Sequence, residues 1–410
     1  MCREIIHYKF QLGLISGLVL VSLVLALLNT APAYAGGVVG DGTAGSCTEA
    51  AFNTALSGGG AITFNCGGPA TITFTTFKEI SADTIIDGGG VITLSGSNVF
   101  LFQVFFDTSL TLQNITLANG SASAAGAIET FGATHIINSH LLNNQSPTGS
   151  GGAIHNYGTL NLTNTILSNN RAANGGGGIY NDGGVMYLTG SQLISNVVTG
   201  TTGTGGGITN QAGSMTLNGV TLSDNVAGGN GGGIYSNAPA VLTNVTLSGN
   251  RATGPGSGGG GMYQNGSSAT LNFVTVAGNT APAFGGGVFN DNLNGATMTL
   301  RNTLLTNNTV GNCDGIVSSL GHNLSSDSNC ADFTQTGDQQ NASLPLGPLA
   351  NNGGPTLTHL PQSGNPAIDG GECVAGVTTD QRGRPRPFGG QCDVGAVEVG
   401  GYLYLPIIIK

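Results

Sequence analysis

The sequence predicts an all-β chain wound as a parallel β-helix, and three observations predict it. The first is composition: 72 of 410 residues are glycine, charged residues make up 7% and tryptophan is absent. Each interior glycine costs a helix about 1 kcal/mol, so a helical fold is disfavoured. Disorder needs low hydrophobicity with high net charge, whereas 39% of this chain is apolar. The other two observations are interleaved ladders of repeated motifs. Units of this length without an amphipathic helix cannot bury a face alone and must stack on their neighbours.

At the start, Arg3 and Lys9 precede an apolar run from Leu12 to Leu28, and Ala33-Tyr34-Ala35 follows as a small-x-small site. Residues 1–35 are therefore expected to be a secretory signal peptide, with an uncleaved membrane anchor as the alternative. Export to an oxidising compartment makes disulfides the default reading of the six cysteines beyond it. They form three local couples, Cys47/Cys66, Cys313/Cys330 and Cys373/Cys392, at the two ends of a cysteine-free middle, so sequential pairing is expected. No C-x2-C spacing occurs, and no metal site is expected.

Residues 36–80 read as an N-terminal cap and first coils, needed because the open end of a β-helix exposes unpaired strand edges. Ser46-Cys47-Thr48-Glu49 is a capping-box pattern ahead of a short helical run, Ala50 to Leu56.

Residues 81–312 carry the repeats. One ladder begins at Leu112, Ile137, Leu162, Leu188, Leu217, Leu242, Leu271 and Leu300, with spacings of 25–29 residues. Five residues on stand Leu117, Leu142, Leu167, Leu193, Leu222, Leu247, Val276 and Leu305; eight residues on, Asn170, Asn196, Asn225, Asn250, Asn279 and Asn308. The other ladder is Gly-Gly-Gly-apolar, centred on Ile128, Ile154, Ile179, Ile208, Ile234, Met262 and Val288. Between strands stand Asn114, Asn164, Gly190, Gly219, Asn244 and Asn302, residue types that tolerate a left-handed bend. Each coil pairs with its neighbours at about 4.8 Å, and aligned asparagines can hydrogen-bond along the stack. Thr246 is expected to point outward. From Cys313 the repeat fades and proline becomes frequent, so 313–398 is expected to form an irregular, disulfide-bearing C-terminal cap, with 399–410 a short tail.

The repeats resemble the right-handed parallel β-helices of the pectate-lyase-like superfamily. Gly-Gly-Ala-Ile at 151–154 and the later units are similar to polymorphic outer-membrane protein repeats, with Leu-x-x-Asn-like turns replacing that family's Phe-x-x-Asn. Leu346-Gly347-Pro348-Leu349, Asn352-Gly353-Gly354-Pro355-Thr356, Asn365-Pro366-Ala367-Ile368-Asp369, Thr379-Asp380-Gln381-Arg382-Gly383 and Cys392-Asp393-Val394-Gly395-Ala396 occur in that order. This tail resembles the choice-of-anchor Q domain of bacterial surface proteins. The resemblance implies a right-handed helix and a secreted or cell-surface bacterial protein, and it assigns no catalytic residues.

Enzymes on this fold gather carboxylates from adjacent coils. Between 112 and 308 the acids are Glu129, Asp182, Asp224 and Asp291. Asp182 and Asp291 share a phase but lie four coils apart, about 19 Å, against the roughly 5–9.5 Å of paired glycosidase carboxylates. They read as solvated turn charges. His135 and His140 occupy apolar phases and are expected to be packed. Asp327, Asn329 and Asp332 read as a turn. Arg382, Arg384 and Arg386, near Asp369, Asp380 and Asp393, are expected to form an internal ion-pair cluster. One outward row is different: after each Gly-Gly-Gly-apolar anchor stand Glu129, His155, Tyr180, Thr209, Tyr235, Tyr263 and Phe289. Tyr180, Tyr235, Tyr263 and Phe289 are the candidate glycan-binding residues, offering ring faces to sugars; the alternative is mutual stacking for stability. The loops 197–204 and 251–257 are expected to border them. A formal charge of −10 removes the electrostatic footprint of nucleic-acid binding. The expectation is a monomeric, cofactor-free protein with a structural, adhesive or glycan-binding role whose partner is a polysaccharide; the alternative is an extracellular polysaccharide lyase or glycoside hydrolase.

Overall fold

A computed structural model describes residues 36–400. The expected signal peptide and the tail from 401 lie outside the described residues. The chain forms a parallel β-solenoid of about eleven turns, as the repeats predict. Three inward rows fill its interior. The Gly-Gly-Gly row stacks Phe102, Ile128, Ile154, Ile179, Ile208, Ile234, Met262, Val288 and finally Cys313 in register. The leucine rows run from Ile86 through Leu112 to Leu300 and from Leu94 through Leu117 to Leu305, and these residues are buried. The glycines ahead of the anchors have a steric reason: at Gly206 a Cβ would lie 2.3 Å from the Gly232 carbonyl oxygen of the next coil.

The predicted bends are left-handed: φ is 51° at Asn114, 49° at Asn164, 52° at Asn244 and 49° at Asn302, with Gly190 and Gly219 also positive. Phe273 holds the same bend at φ 54°, a residue type rarely found there. The buried asparagines make a continuous amide ladder. Each side-chain Nδ2–H donates to the Oδ1 of the next coil, from Asn144 to Asn170 (3.0 Å), Asn196, Asn225, Asn250, Asn279, Asn308 and Asn312. Each also donates back to a leucine or valine carbonyl, such as Asn225 to Leu193 (2.9 Å).

One coil departs from the expected phase. Ile136 and Leu141, not Ile137 and Leu142, are fully buried, and Ile136 pairs with Leu162. The shift carries Asn144 into the ladder and turns His135 and His140 away from the core. His140 Nε2 instead meets Ser168 Oγ at 2.7 Å.

The N-terminal end is closed by α1 (Glu49–Leu56), whose Phe52 is buried against Phe74 at 4.9 Å between ring centroids. Its cap is Thr48, whose hydroxyl accepts from the Ala51 N–H; Ser46 ends a 3-10 turn instead. Glu49 does not close a capping box. Its carboxylate accepts from the Thr75 and Thr76 N–H groups and meets Lys78 Nζ at 2.6 Å. All three disulfides pair as the spacing predicts, Cys47–Cys66, Cys313–Cys330 and Cys373–Cys392.

Beyond Cys313 the chain does two things. Residues up to about 340 close the far end. Asp327, Asp332 and Asp338 accept the backbone N–H groups of Asn312, Val317 and Asn323, which no further coil would satisfy. Residues 344–399 then return along the flank as a strap over the outward column Gln192, Thr221, Thr246 and Thr275. Thr221 donates to the Leu357 carbonyl (2.6 Å), Thr246 to Gln381 Oε1 (2.7 Å), and Thr275 accepts from the Ala396 N–H (3.0 Å). Thr246 therefore points out of its coil yet is fully buried. Inside the strap Arg382 pairs with Asp380 and Arg386 with Glu398, both at 2.7 Å. Glu398, not Asp393, is the carboxylate opposite Arg386. The Arg386 guanidinium also lies 4.1 Å from the Phe273 ring centroid, which accounts for an aromatic ring at that bend.

Candidate functional site

Strand alternation puts the residue after each Gly-Gly-Gly anchor on the outer surface. Register aligns Glu129, His155, Tyr180, Thr209, Tyr235, Tyr263, Phe289 and Asp314 in one column. The four candidate glycan residues thus share one face, with Thr209 separating Tyr180 from the other three. Thr204 and Gly258, at the end of one predicted loop and just after the other, contact Thr209 and the Phe284–Phe289 pair.

The upper cluster is built on Tyr235, Tyr263 and Phe289. Tyr235 stacks on Tyr263 at 5.4 Å, Tyr263 meets Phe289 edge-on at 4.9 Å, and Phe289 stacks on Phe284 at 5.3 Å. Tyr263 is only 7% exposed, so it supports the cluster rather than facing outward; Phe284 is 44% exposed. The Tyr263 hydroxyl donates to Asp291 Oδ2 at 2.8 Å. Burial, and then the adjoining Asp291 carboxylate, push the Tyr263 phenol well above its ordinary range. A cavity of about 520 Å³ opens here, lined by the three rings of Tyr263, Phe284 and Phe289 together with Asp291 and Asn292. Two residues along each strand, on the same outward side, a second column presents amides: Asn265 donates to Asn237 Oδ1 (2.6 Å) and Asn237 to Gln211 Oε1 (3.0 Å).

The lower cluster was not legible from the candidate row alone. Phe131, Tyr157 and His155 stack successively at 4.9 and 4.3 Å, Phe106 lies tilted against Phe131 at 5.2 Å, and Tyr180 meets His155 edge-on at 5.0 Å. Phe131 and Tyr157 follow Glu129 and His155 by two residues, and that period-two offset is the signal that finds them. His155 Nδ1 meets the Ala124 carbonyl at 3.0 Å, while Nε2 lies 3.9 Å from Asp182 Oδ2. Burial raises the phenols of Tyr157 and Tyr180, with Asp182 adding to the effect.

The face is thus two aromatic clusters flanked by amides and carboxylates. Rings supply flat apolar area and the polar rim supplies orientation, the usual composition of a binding surface. No helix among the described residues is long and apolar enough to cross a membrane. Neither a scan against protein-family models nor a search of curated proteins finds a match to this chain.

Proposed function

We propose that the protein is a secreted or cell-surface β-helix that binds polysaccharide along its aromatic flank, in an adhesive or structural role. The observation that carries this reading is the aromatic cavity of about 520 Å³ at the upper cluster, open beside an amide column. A polymer running along the solenoid axis would keep the ring column on one side and the amide column on the other, each repeating at the coil spacing. The export reading is supported by the three disulfides, which an oxidising compartment sustains. The resemblance of the tail to a choice-of-anchor Q domain, and of the coils to the pectate-lyase-like superfamily, supports a bacterial surface setting.

The test is a double variant, Phe284→Ala with Phe289→Ala, in a glycan array with the melting temperature recorded alongside. Both rings border the cavity without belonging to the inward rows. Binding is expected to fall by about tenfold or more, each ring contributing about 1 kcal/mol, while melting changes little. Undiminished binding, or no glycan binding by the parent protein, defeats the reading.

A further inference from the structure

The charges around the upper cavity say which kind of sugar it fits. Three rings, Tyr263, Phe284 and Phe289, and one carboxylate, Asp291, line it. Asp314 continues the same column, paired in register with Phe289. Lower on the face stand Glu129 and Asp182. The described cations are placed elsewhere. Lys78 pairs with Glu49 at the plug, and Arg301 pairs with Glu372 of the strap. Arg382 and Arg386 are buried in the strap, Arg384 lies in the same segment beside Pro385 and Phe388, and Arg171 and Arg251 open strands of the small separate sheet, outside the cavity wall. The aromatic flank is therefore lined by π faces and carboxylates, with no lysine or arginine in its column or in the cavity wall.

Ring quadrupoles and carboxylates attract the same charge. An acidic polymer such as a uronate would bring its own carboxylates against Asp291 and Asp314, and like charges in a partly desolvated site repel. A protonated amine meets the opposite situation: π faces below it and a carboxylate at the rim. We infer that the cavity at Tyr263, Phe284, Phe289 and Asp291 recognises an amine-bearing sugar, so that the polysaccharide bound is a glucosamine-type polymer and not a uronate. This inference rests on the glycan-binding reading above and narrows it to one chemical class.

The experiment uses the full chain and three probes: a β-1,4-linked glucosamine hexamer, the same hexamer fully N-acetylated, and a polygalacturonate of similar length. Acetylation removes the charge while keeping ring and linkage. The glucosamine hexamer is expected to bind about tenfold more tightly than its acetylated form, consistent with a partly desolvated cation–π and carboxylate contact. Added salt should weaken it, and polygalacturonate should not bind. Asp291→Asn keeps an acceptor oxygen for the Tyr263 hydroxyl but removes the charge, and should erase most of the preference. Asp314→Asn provides a second charge removal in the same column and should lower it further. Equal affinity for the acetylated hexamer, or a preference untouched by both variants, overturns the amine inference while an aromatic-dependent affinity leaves the glycan reading standing. Binding of polygalacturonate through the rings does the same. Failure of every probe in the parent protein sinks both.

Discussion

The amide ladder and the strap solve the same problem with opposite chemistry. In the ladder, Asn170 to Asn308 are buried neutral groups, and each satisfies its neighbours with donors and acceptors at 2.8–3.1 Å. In the strap, Arg382, Asp380, Arg386 and Glu398 are buried charges held as pairs within one irregular segment. A repeat can extend a neutral network indefinitely, because every coil offers the next the same groups. A segment that occurs once has no such neighbour. It closes its network internally with ions, which are costly to bury but fix one arrangement once paired.

The comparison breaks most sharply when one partner is removed in each region. Arg386→Ala leaves Glu398 buried without its cation and uncovers the Phe273 ring, and is expected to cost about 4 kcal/mol. Asn225→Leu leaves the Asn196 donors and the Leu193 carbonyl unpartnered, and is expected to cost about 3 kcal/mol. Urea unfolding gives both magnitudes, and limited proteolysis locates them: the strap should become cleavable in the first variant with the coils still protected. Nicking throughout the coils of the Arg386 variant would mean that the strap is an integral part of the solenoid.

The same contrast explains what the sequence made legible. The inward rows, the bends at Asn114 to Asn302 and the ladder from Asn170 onward could be read because each recurs in constant phase. The coil at 133–146 was misread because three doublets coincide there: Ile136-Ile137, Leu141-Leu142 and Asn143-Asn144. Either member satisfies the pattern, and only stacking on Leu117 and Leu167 selects the first. The strap's course could not be read at all. Its partners are more than a hundred residues away, as in Gln381 with Thr221 and Thr246, and no periodicity announces them. On the candidate face the column itself was legible, since it follows the glycine anchors. The burial of Tyr263 was not, because it comes from the Tyr235 and Phe289 rings packing against it from the coils on either side, which strand phase alone does not reveal.

The strap and the N-terminal plug should also differ in their response to pH. Burial pushes the Asp393 carboxyl up to about 6 in the strap. At the plug burial acts upward too, but the Lys78 ammonium and the Thr75 and Thr76 donors outweigh it and hold Glu49 at about 2. An acid whose folded value is raised favours the native state in its protonated form. Asp393 therefore contributes stability below about pH 4, its unfolded value, and loses it as pH rises through about 6. Glu49 has the opposite sign: its contribution is present above about pH 4 and is lost as pH falls toward 2. Asp393→Asn should flatten the change between pH 4 and 6 by about 1–2 kcal/mol, and Glu49→Gln should flatten the change below pH 4. Urea midpoints across pH 2–7 check both, and the same slope in the two variants would refute the assignment.

The smallest effect isolates what coverage by the strap contributes. Thr116 and Thr246 occupy the same outward column, linked coil by coil through His140, Ile166, Gln192 and Thr221. They are the same residue type on the same kind of strand, with their backbones paired alike. Thr116 is half-buried and lies beyond the reach of the strap, where a cavity of about 330 Å³ includes it, His140 and Ile166. Thr246 is fully buried and donates to Gln381. Valine keeps the β-branched shape and removes only the hydroxyl. Thr246→Val should cost about 1 kcal/mol, because the Gln381 oxygen loses its donor in a dry interface. Thr116→Val should stay within about 0.5 kcal/mol, as water replaces the lost contact. If the two cost the same, the column's energetics come from the coil and the strap merely lies on it. If only Thr246 responds, the strap has converted an exposed face of the repeat into a second core.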